Sequence, residues 1–407
     1  MIRLVHCSDL HIGVTNHSRP DSETGYDTTT KSFLECFDEI VDWCLDRNVD
    51  VFVFSGDAFK SRTPPPWQIR EFMKRIRRLS DARIPSFLLL GNHDVPAYPR
   101  SAALDILGDA DWEYVTIGSR IGTYTVSTSK GPLQILAVPW MWRQELLSLV
   151  ETRLSLEKQN ERLLQAGQEL VRVPAFEQKL PTIISMHATI PGAILGSERQ
   201  IMLGGDSWAF ELDFLEDLMQ ERNISYIAAG HIHKAQNWEV NGRTDRLIAY
   251  SGSPNRVDFM EEGDRKGFME VGLGWGGIER AGFHLLEKAR KLKTIHIKIT
   301  DVLANRDPLQ HVTWSLPAEK VDVVRYRFDL PEDVPSPSIA DVRRLLPDHI
   351  VLAGVEIERP QRPRSRVAST EPLVEKSMED LLDIYMASKE VPVKRQTEIK
   401  STLQGLV

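Results

Sequence analysis

Thiols are scarce in this 407-residue chain: Cys7, Cys36 and Cys44 are the only ones, an odd number with no Cys-x-x-Cys pair. That excludes a disulfide framework and a cysteine-built zinc ribbon, and a reducing compartment is expected. Long apolar runs are missing too. No stretch approaches the ~20 residues needed to span a bilayer. The segment from Met1 to Asp9 runs straight into a strand, leaving no room for a signal peptide, so a soluble cytoplasmic protein with no membrane contact is expected. A positive surplus is the third absence. The formal net charge of -8 does not by itself exclude a polyanionic partner, because the field at a site depends on where charges lie and not on their sum. What is present is apolar composition of 42%, enough for a sizeable core at a length that corresponds to roughly two to three domains.

In chain order, Ile2 to Cys7 reads as a strand, Val14 to Thr30 as a polar loop, and Phe33 to Arg47 as an amphipathic helix carrying Phe33, Phe37, Ile40, Val41 and Cys44 on one face. Val51 to Phe54 reads as a buried parallel strand ending in Gly56-Asp57. Pro64 to Pro66 close the next loop, and Trp67 to Leu79 form a helix with one apolar and one basic side. Ile84 to Leu90 is a third strand, delivering Gly91-Asn92-His93-Asp94. Ile121 to Val138 alternates as strands, Arg143 to Leu170 reads as a long surface helix, and two further strands end at His187 and at Gly230-His231. Repeated strand, loop and helix predict an α/β layered core. Beyond Glu287, strands at Thr294–Ile299, Val323–Phe328 and Ile350–Ile357 with a helix at Ser338–Leu346 predict a small α+β second domain. A Pro/Arg/Ser-rich linker follows from Pro360 to Pro372, then a helical tail from Leu373 to Val407 whose apolar stripe needs a partner surface.

The chemistry lies in five segments at the carboxyl ends of apolar runs: Asp9-Leu10-His11, Gly56-Asp57, Gly91-Asn92-His93-Asp94, His187 and Gly230-His231-Ile232-His233. That is where α/β sheets place their sites. Carboxylates, an amide carbonyl and imidazoles without thiolates suit divalent ions such as manganese or iron. Asp9, His11, Asp57, Asn92, His187, His231 and His233 are too many donors for one tetrahedral ion but enough for a pair sharing a bridging carboxylate. Such pairs sit about 3.5–4 Å apart, lower the pKa of a shared water and clamp the oxygens of an in-line displacement at phosphorus. The expected reaction is phosphoester hydrolysis, with His93 as the candidate proton donor to the leaving oxygen.

These five motifs, in this order, resemble the calcineurin-like metallophosphoesterase superfamily over residues 1 to about 290. Further matches, Gly230 through Gln236, Tyr250 through Pro254, Arg256, Phe259, Glu261 and Lys266 through Phe268, resemble the bacterial SbcD nucleases and their archaeal and eukaryotic relatives. The resemblance implies an α/β four-layer sandwich of two β-sheets flanked by helices over 1–290, a small α+β capping domain that binds DNA over 291–360, a linker over 361–372, and a helical tail over 373–407 that grips a coiled-coil ABC ATPase of the SbcC type. It implies a homodimer built through the helices from Trp67 and from Arg100 to Leu107, whose apolar residues read equally as core. It implies one ion on Asp9, His11, Asp57 and His233 and another on Asp57, Asn92, His187 and His231, usually Mn2+, with Mg2+ or Fe2+ as substitutes. His93 would face the scissile phosphate. Some relatives carry a second histidine three residues after the bridging aspartate; this chain has Lys60, which supplies charge but no imidazole proton transfer.

The resulting expectation is the nuclease subunit of an SbcCD-like double-strand-break repair complex, acting as exonuclease and as hairpin or single-strand endonuclease. Two alternatives are a small-molecule or phosphoprotein phosphoesterase of the same superfamily, which leaves the last third of the chain idle, and a non-catalytic scaffold for DNA ends or the ATPase, which the intact donor set disfavours. Asp94 reads as supporting the ligands rather than joining them, and His6, on the face opposite Cys7, as packing or as support for the ligands. Trp140 and Trp142 read as core aromatics before base-stacking platforms. Two basic sets, Arg70, Lys74, Arg75, Arg77 and Arg78, and Arg359, Arg362, Arg364 and Arg366, read equally as solvated faces or as contacts to a DNA backbone.

Overall fold

The apolar runs of the sequence become the central strands of two sheets. In the computed structural model, which describes residues 1–95, 102–109, 112–141, 156–177, 179–196, 209–300 and 306–359 with a few positions between 382 and 396, the first sheet begins with β1 (Ile2–Cys7), β2 (Val51–Phe54), β3 (Ser86–Leu89) and β4 (Val115–Gly118), all parallel. The second sheet contains β5 (Gly122–Thr128), β6 (Gly131–Val138), β7 (Thr182–His187), β8 (Tyr226–Gly230), β9 (Gln236–Val240) and β10 (Arg243–Tyr250), in the order β5-β6-β7-β8-β10-β9. Its middle four strands are parallel. The chain then returns to the first sheet, where β11 (Gly267–Gly274) pairs antiparallel with β1 and β12 (Gly277–Leu285) closes the edge.

Alternation along the strands sorts their side chains into layers. Ile2, Leu4, Val51, Val53 and Phe87 meet Ile135, Ile183 and Tyr226 between the two sheets. Val5, Cys7, Phe52, Phe54 and Leu88 point the other way, against α1 (Thr28–Asp46) and α2 (Pro66–Asp81). The outer face of the second sheet is covered by α4 (Leu156–Arg172) and α5 (Leu212–Glu221); a short α3 (Asp105–Asp109) precedes β4. Four layers result, helix, sheet, sheet, helix. The helix predicted from Phe33 starts five residues sooner because the Asp27 carboxylate caps it, accepting from the Thr30 N–H at 2.8 Å. The surface helix expected over Arg143–Leu170 is instead docked: Leu163 and Val171 are buried in the second core, while residues 142–155 lie outside the described residues. Of the helix expected over Arg100–Leu107, only the part from 102 is described.

A third sheet follows, of β13 (Leu292–Lys298), β14 (Val323–Asp329) and β15 (Val351–Glu358), parallel throughout. Its connections carry α6 (Gln310–Trp314) and α7 (Ile339–Leu345), which close a separate core around Ile295, Val324, Tyr326, Phe328 and Val342. Arg290, just before β13, is buried and donates to the carbonyls of Asn16, Arg256 and Val257 and to Thr29 Oγ1, tying the start of this unit to the loops of the first sheet. Among the described residues no helix is long and apolar enough to cross a membrane.

The first core is centred on Phe72, a buried ring 5.5 Å from Phe37 and 5.7 Å from both Phe54 and Phe59. Phe72→Ala is expected to cost about 3–5 kcal/mol in urea unfolding, with Phe72→Leu costing clearly less. A loss below about 1 kcal/mol for the alanine variant would mean that α2 does not close this core.

Candidate metal centre

Five loops, all leaving the carboxyl ends of central strands, converge where the two sheets meet. Asp9 and His11 follow β1, Asp57 follows β2, Asn92 and His93 follow β3, His187 ends β7, and His231 and His233 follow β8. Every one of the seven candidate ligands is buried. The backbone is bent hard to achieve this: Asp9, His11, Asp57 and His231 have φ of 56°, 43°, 62° and 98°, in the left-handed region where a side chain costs about 1 kcal/mol or more. Two glycines permit the close approach. A Cβ on Gly91 would lie 2.2 Å from Asp57 Oδ1, and one on Gly230 would lie 2.1 Å from the Ser55 carbonyl. The Asp94 carboxylate locks the loops after β2 and β3 together, accepting from the N–H groups of Asp57 at 2.7 Å, Ala58 at 2.9 Å and Gly91 at 3.0 Å. Across the sheets, Ser55 Oγ sits 3.0 Å from Ser185 Oγ and 2.9 Å from the Ala228 carbonyl.

The donor atoms form two groups. In one, His11 Nε2 and His233 Nε2 face each other at 2.9 Å, and Asp9 lies with them within ligating range of a shared point. In the other, His187 Nε2 and Asn92 Oδ1 are 2.9 Å apart and His231 Nδ1 is 3.1 Å from the same oxygen. Asp57 Oδ2 stands between them, 3.6 Å from His11 Nε2 and 3.4 Å from His187 Nε2. The tautomers are set from behind. His187 Nδ1 meets the Ser55 carbonyl at 2.7 Å and His233 Nδ1 meets Glu261 Oε1 at 2.8 Å, so each Nδ1 carries a proton and each ring turns its Nε2 inward.

The electrostatics follow from that crowding. Burial drives the Asp9 carboxyl up to about 6 against the imidazoles of His187 and His233. Burial also works against charge on Asp57, yet the imidazoles of His187 and His93 prevail and hold it well below the usual carboxylate range. Burial opposes the charged form of His187 too, but Asp57 pulls it up to about 9. Burial, then the charge on His187, drives His231 down to about 3. Burial opposes ionisation of Glu261, but Lys266 and His233 keep it well below its ordinary value. Each 2.9 Å contact, His11 Nε2 to His233 Nε2 and His187 Nε2 to Asn92 Oδ1, therefore needs either one proton between its two atoms or a cation in its place. The separation is also that of neighbouring ligands about 2.1 Å from one octahedral ion. These Asp and His groups can hold a two-metal site, and the donor chemistry fits it.

His93 lies at the open side. Its N–H donates to Asp57 Oδ1 at 2.8 Å and its Nδ1 meets the Lys60 carbonyl at 2.9 Å, while the Lys60 side chain is exposed on the rim. Trp140 is buried with its ring 5.2 Å from that of His231, so it backs a ligand; Trp142 lies outside the described residues. His6 is buried between the sheets, Nδ1 2.8 Å from the Tyr226 hydroxyl.

The basic face expected along α2 needs correction. Arg75 is buried against Asp38 and Glu71, because α1 presents its carboxylates to α2. Arg78 pairs with Asp38 and Asp42, Lys74 and Arg70 with Glu71, and Arg77 with Asp81. Arg359 donates to the carbonyls of Pro331, Glu332 and Val334, holding the loop after β14; Arg362, Arg364 and Arg366 lie outside the described residues. Glu261 and Lys266 were not assigned a role from the sequence, since no local pattern marks a contact made by folding.

The family model described as calcineurin-like phosphoesterase matches residues 2–235. Among curated proteins, the chain is similar to the DNA double-strand break repair protein Mre11 of Saccharolobus solfataricus, at 25% identity over 82% of this chain and 71% of the other. It is similar to that of Methanococcus maripaludis, at 35% over 67% and 62%, and to the SbcD component of the SbcCD nuclease of Bacillus subtilis, at 27% over 65% and 64%. The chain thus spans about two thirds of the length of these relatives.

Because the folded chain brings these buried donors together and the unfolded chain does not, metal should stabilise the fold. At a hundredfold excess of Mn2+ over its Kd the expected gain is about 2.7 kcal/mol, seen as a rise in Tm. Asp57→Ala should stay folded and lose most of that rise; an undiminished rise would show that Asp57 is not shared by the bound ions.

Proposed function

The chain belongs to the calcineurin-like phosphoesterase family, and on that footing we propose that it is a two-metal DNA nuclease, the catalytic subunit of an SbcCD-like double-strand-break repair complex. The observation that carries this reading is Asp57 Oδ2, placed between His11 and His187 so that one oxygen faces both donor groups. One ion would be held by Asp9, His11, Asp57 and His233, the other by Asp57, Asn92, His187 and His231. Bound there, two divalent ions lower the pKa of a shared water and stabilise both oxygens of an in-line displacement at phosphorus. The relatives named as repair proteins and as a nuclease component support DNA as substrate over a small phosphoester.

The chain's own residues do the positioning. His93 is oriented by two hydrogen bonds, to Asp57 through its backbone and to the Lys60 carbonyl through Nδ1, leaving Nε2 for an oxygen of the phosphodiester. Asp94 keeps the Asp57 and Asn92 loops in register. Lys60 adds a positive charge at the rim. Of the α2 cations, Arg70, Lys74 and Arg77 remain solvent-exposed in pairs of little strength, so they are the ones left to meet a DNA backbone. Manganese is the proposed ion. The further proposed partners are a second copy of the chain and an SbcC-type ATPase gripped by residues 373–407.

The test is Mn2+-dependent digestion of a labelled duplex, with a chromogenic phosphodiester run in parallel. Wild type should cut the duplex, and His93→Leu should lose roughly 10²–10⁴-fold in rate while keeping the Mn2+-induced rise in Tm. Hydrolysis of the small ester with the duplex left intact, in the presence and absence of the ATPase partner, would replace the nuclease reading by a phosphatase one.

A further inference from the structure

His233 and His187 are oriented by unlike groups. Behind His187 stands a neutral backbone carbonyl, that of Ser55. Behind His233 stands Glu261, a carboxylate with no exposed surface. Its Oε1 takes the Nδ1 proton of His233 at 2.8 Å, and its Oε2 accepts from Lys266 Nζ at 2.8 Å and from the Val257 N–H at 3.0 Å. Lys266 is equally buried, and its three ammonium hydrogens have three acceptors: Glu261 Oε2, the His233 carbonyl at 3.1 Å and Ser253 Oγ at 2.8 Å. One residue, His233, is therefore held at its ring by the carboxylate and at its backbone by the ammonium of the same ion pair.

A buried ion pair of this kind adds little stability over well-packed apolar side chains, so its placement calls for another reason. We propose that Glu261, neutralised by Lys266, is a positioning residue that fixes the tautomer and strengthens the donor power of His233, making the ion on Asp9, His11 and His233 more tightly held than a neutral backing group would. This inference rests on the two-metal reading. A carboxylate behind a ligating imidazole is worth about 10–100-fold in metal affinity, and among the described residues only the group of His11 and His233 has one.

Glu261→Gln keeps the shape and removes the chemistry. With its oxygen toward His233, the amide turns its NH2 onto the Lys266 ammonium and the Val257 N–H. With its NH2 toward His233, it forces the proton onto Nε2, which can then no longer ligate. Either way, one ion should be weakened and the other left alone.

The experiment is titration of the metal-free full chain with Mn2+, by calorimetry and by electron paramagnetic resonance, for wild type and Glu261→Gln. Wild type should take up two ions; the variant should bind one with unchanged affinity and the other about 10–100-fold more weakly, so that an isolated six-line manganese spectrum replaces a coupled pair. The metal-free Tm should fall, because the buried Lys266 ammonium loses its carboxylate partner, so the two proteins are titrated at a temperature where both are folded. Two ions bound by Glu261→Gln as tightly as by wild type would overturn the proposal alone; no uptake by wild type would overturn the two-metal reading with it. If Glu261→Gln is unfolded without metal, Glu261→Asp, which keeps the charge and withdraws it from His233, decides in the same way: one ion weakened supports the proposal, and wild-type affinity for both rejects it.

Discussion

Metal-type donor atoms brought to 2.9 Å of each other, once between His11 and His233 and again between His187 and Asn92, set the terms for the rest of the molecule. Such contacts are unfavourable in a buried site unless a cation stands between the donors or one of them takes a proton. Holding them there requires a rigid support on every side. The two sheets supply it by ending their central strands at one rim, and the polar contacts of Ser55 with Ser185 and Ala228 fasten the sheets together beneath that rim. The left-handed conformations of Asp9, His11, Asp57 and His231 are the local cost of aiming side chains from several strands at one volume. That cost, of order 1–3 kcal/mol per residue, is sustainable because the sandwich carries three packed apolar layers around it.

The same constraint accounts for the division of labour among the carboxylates. Asp57 and Asp94 are both buried beside the site, but they have opposite duties. Asp57 has one oxygen turned to two imidazoles. Asp94 spends its oxygens on backbone N–H groups from two loops, so it shapes the site without offering a free lone pair to it. Reading both as ligands would place two charges where the geometry has room for one.

Much of this was legible beforehand, because a donor just past an apolar run is a local signal. Asp9, Asp57, Asn92, His187 and His231 each sit one to three residues beyond such a run, and strand alternation also placed His6 on the face that proves to lie between the sheets, against Tyr226. What was not legible depends on partners distant in sequence. The cations of α2 look like a free basic face until α1 is laid beside them and Asp38 and Asp42 appear opposite Arg75 and Arg78. Glu261 and Lys266, which the sequence offered only as part of the family resemblance, sit at the end of a short 3-10 turn and just before β11, and their role comes from His233, about thirty residues earlier in the chain. The docking of α4 was missed for the same reason: its polar majority conceals the two residues, Leu163 and Val171, that reach the core.

The ion pairing on α2 also bears on how a chain of net charge -8 would approach a polyanion. Neutralised pairs release few counterions from DNA, so the surface offers only a weak, diffuse attraction. At the rim Lys60 borders a pocket also lined by His93, by Asp258 and by the candidate ligands His11, Asp57, Asn92, His231 and His233. Divalent ions held in that pocket would make it a strong point of attraction, since fields in a partly desolvated cleft are screened far less than those of exposed side chains. In such a design, affinity for the phosphodiester and competence to cleave it come from the same few atoms, and loss of the metal would remove both together.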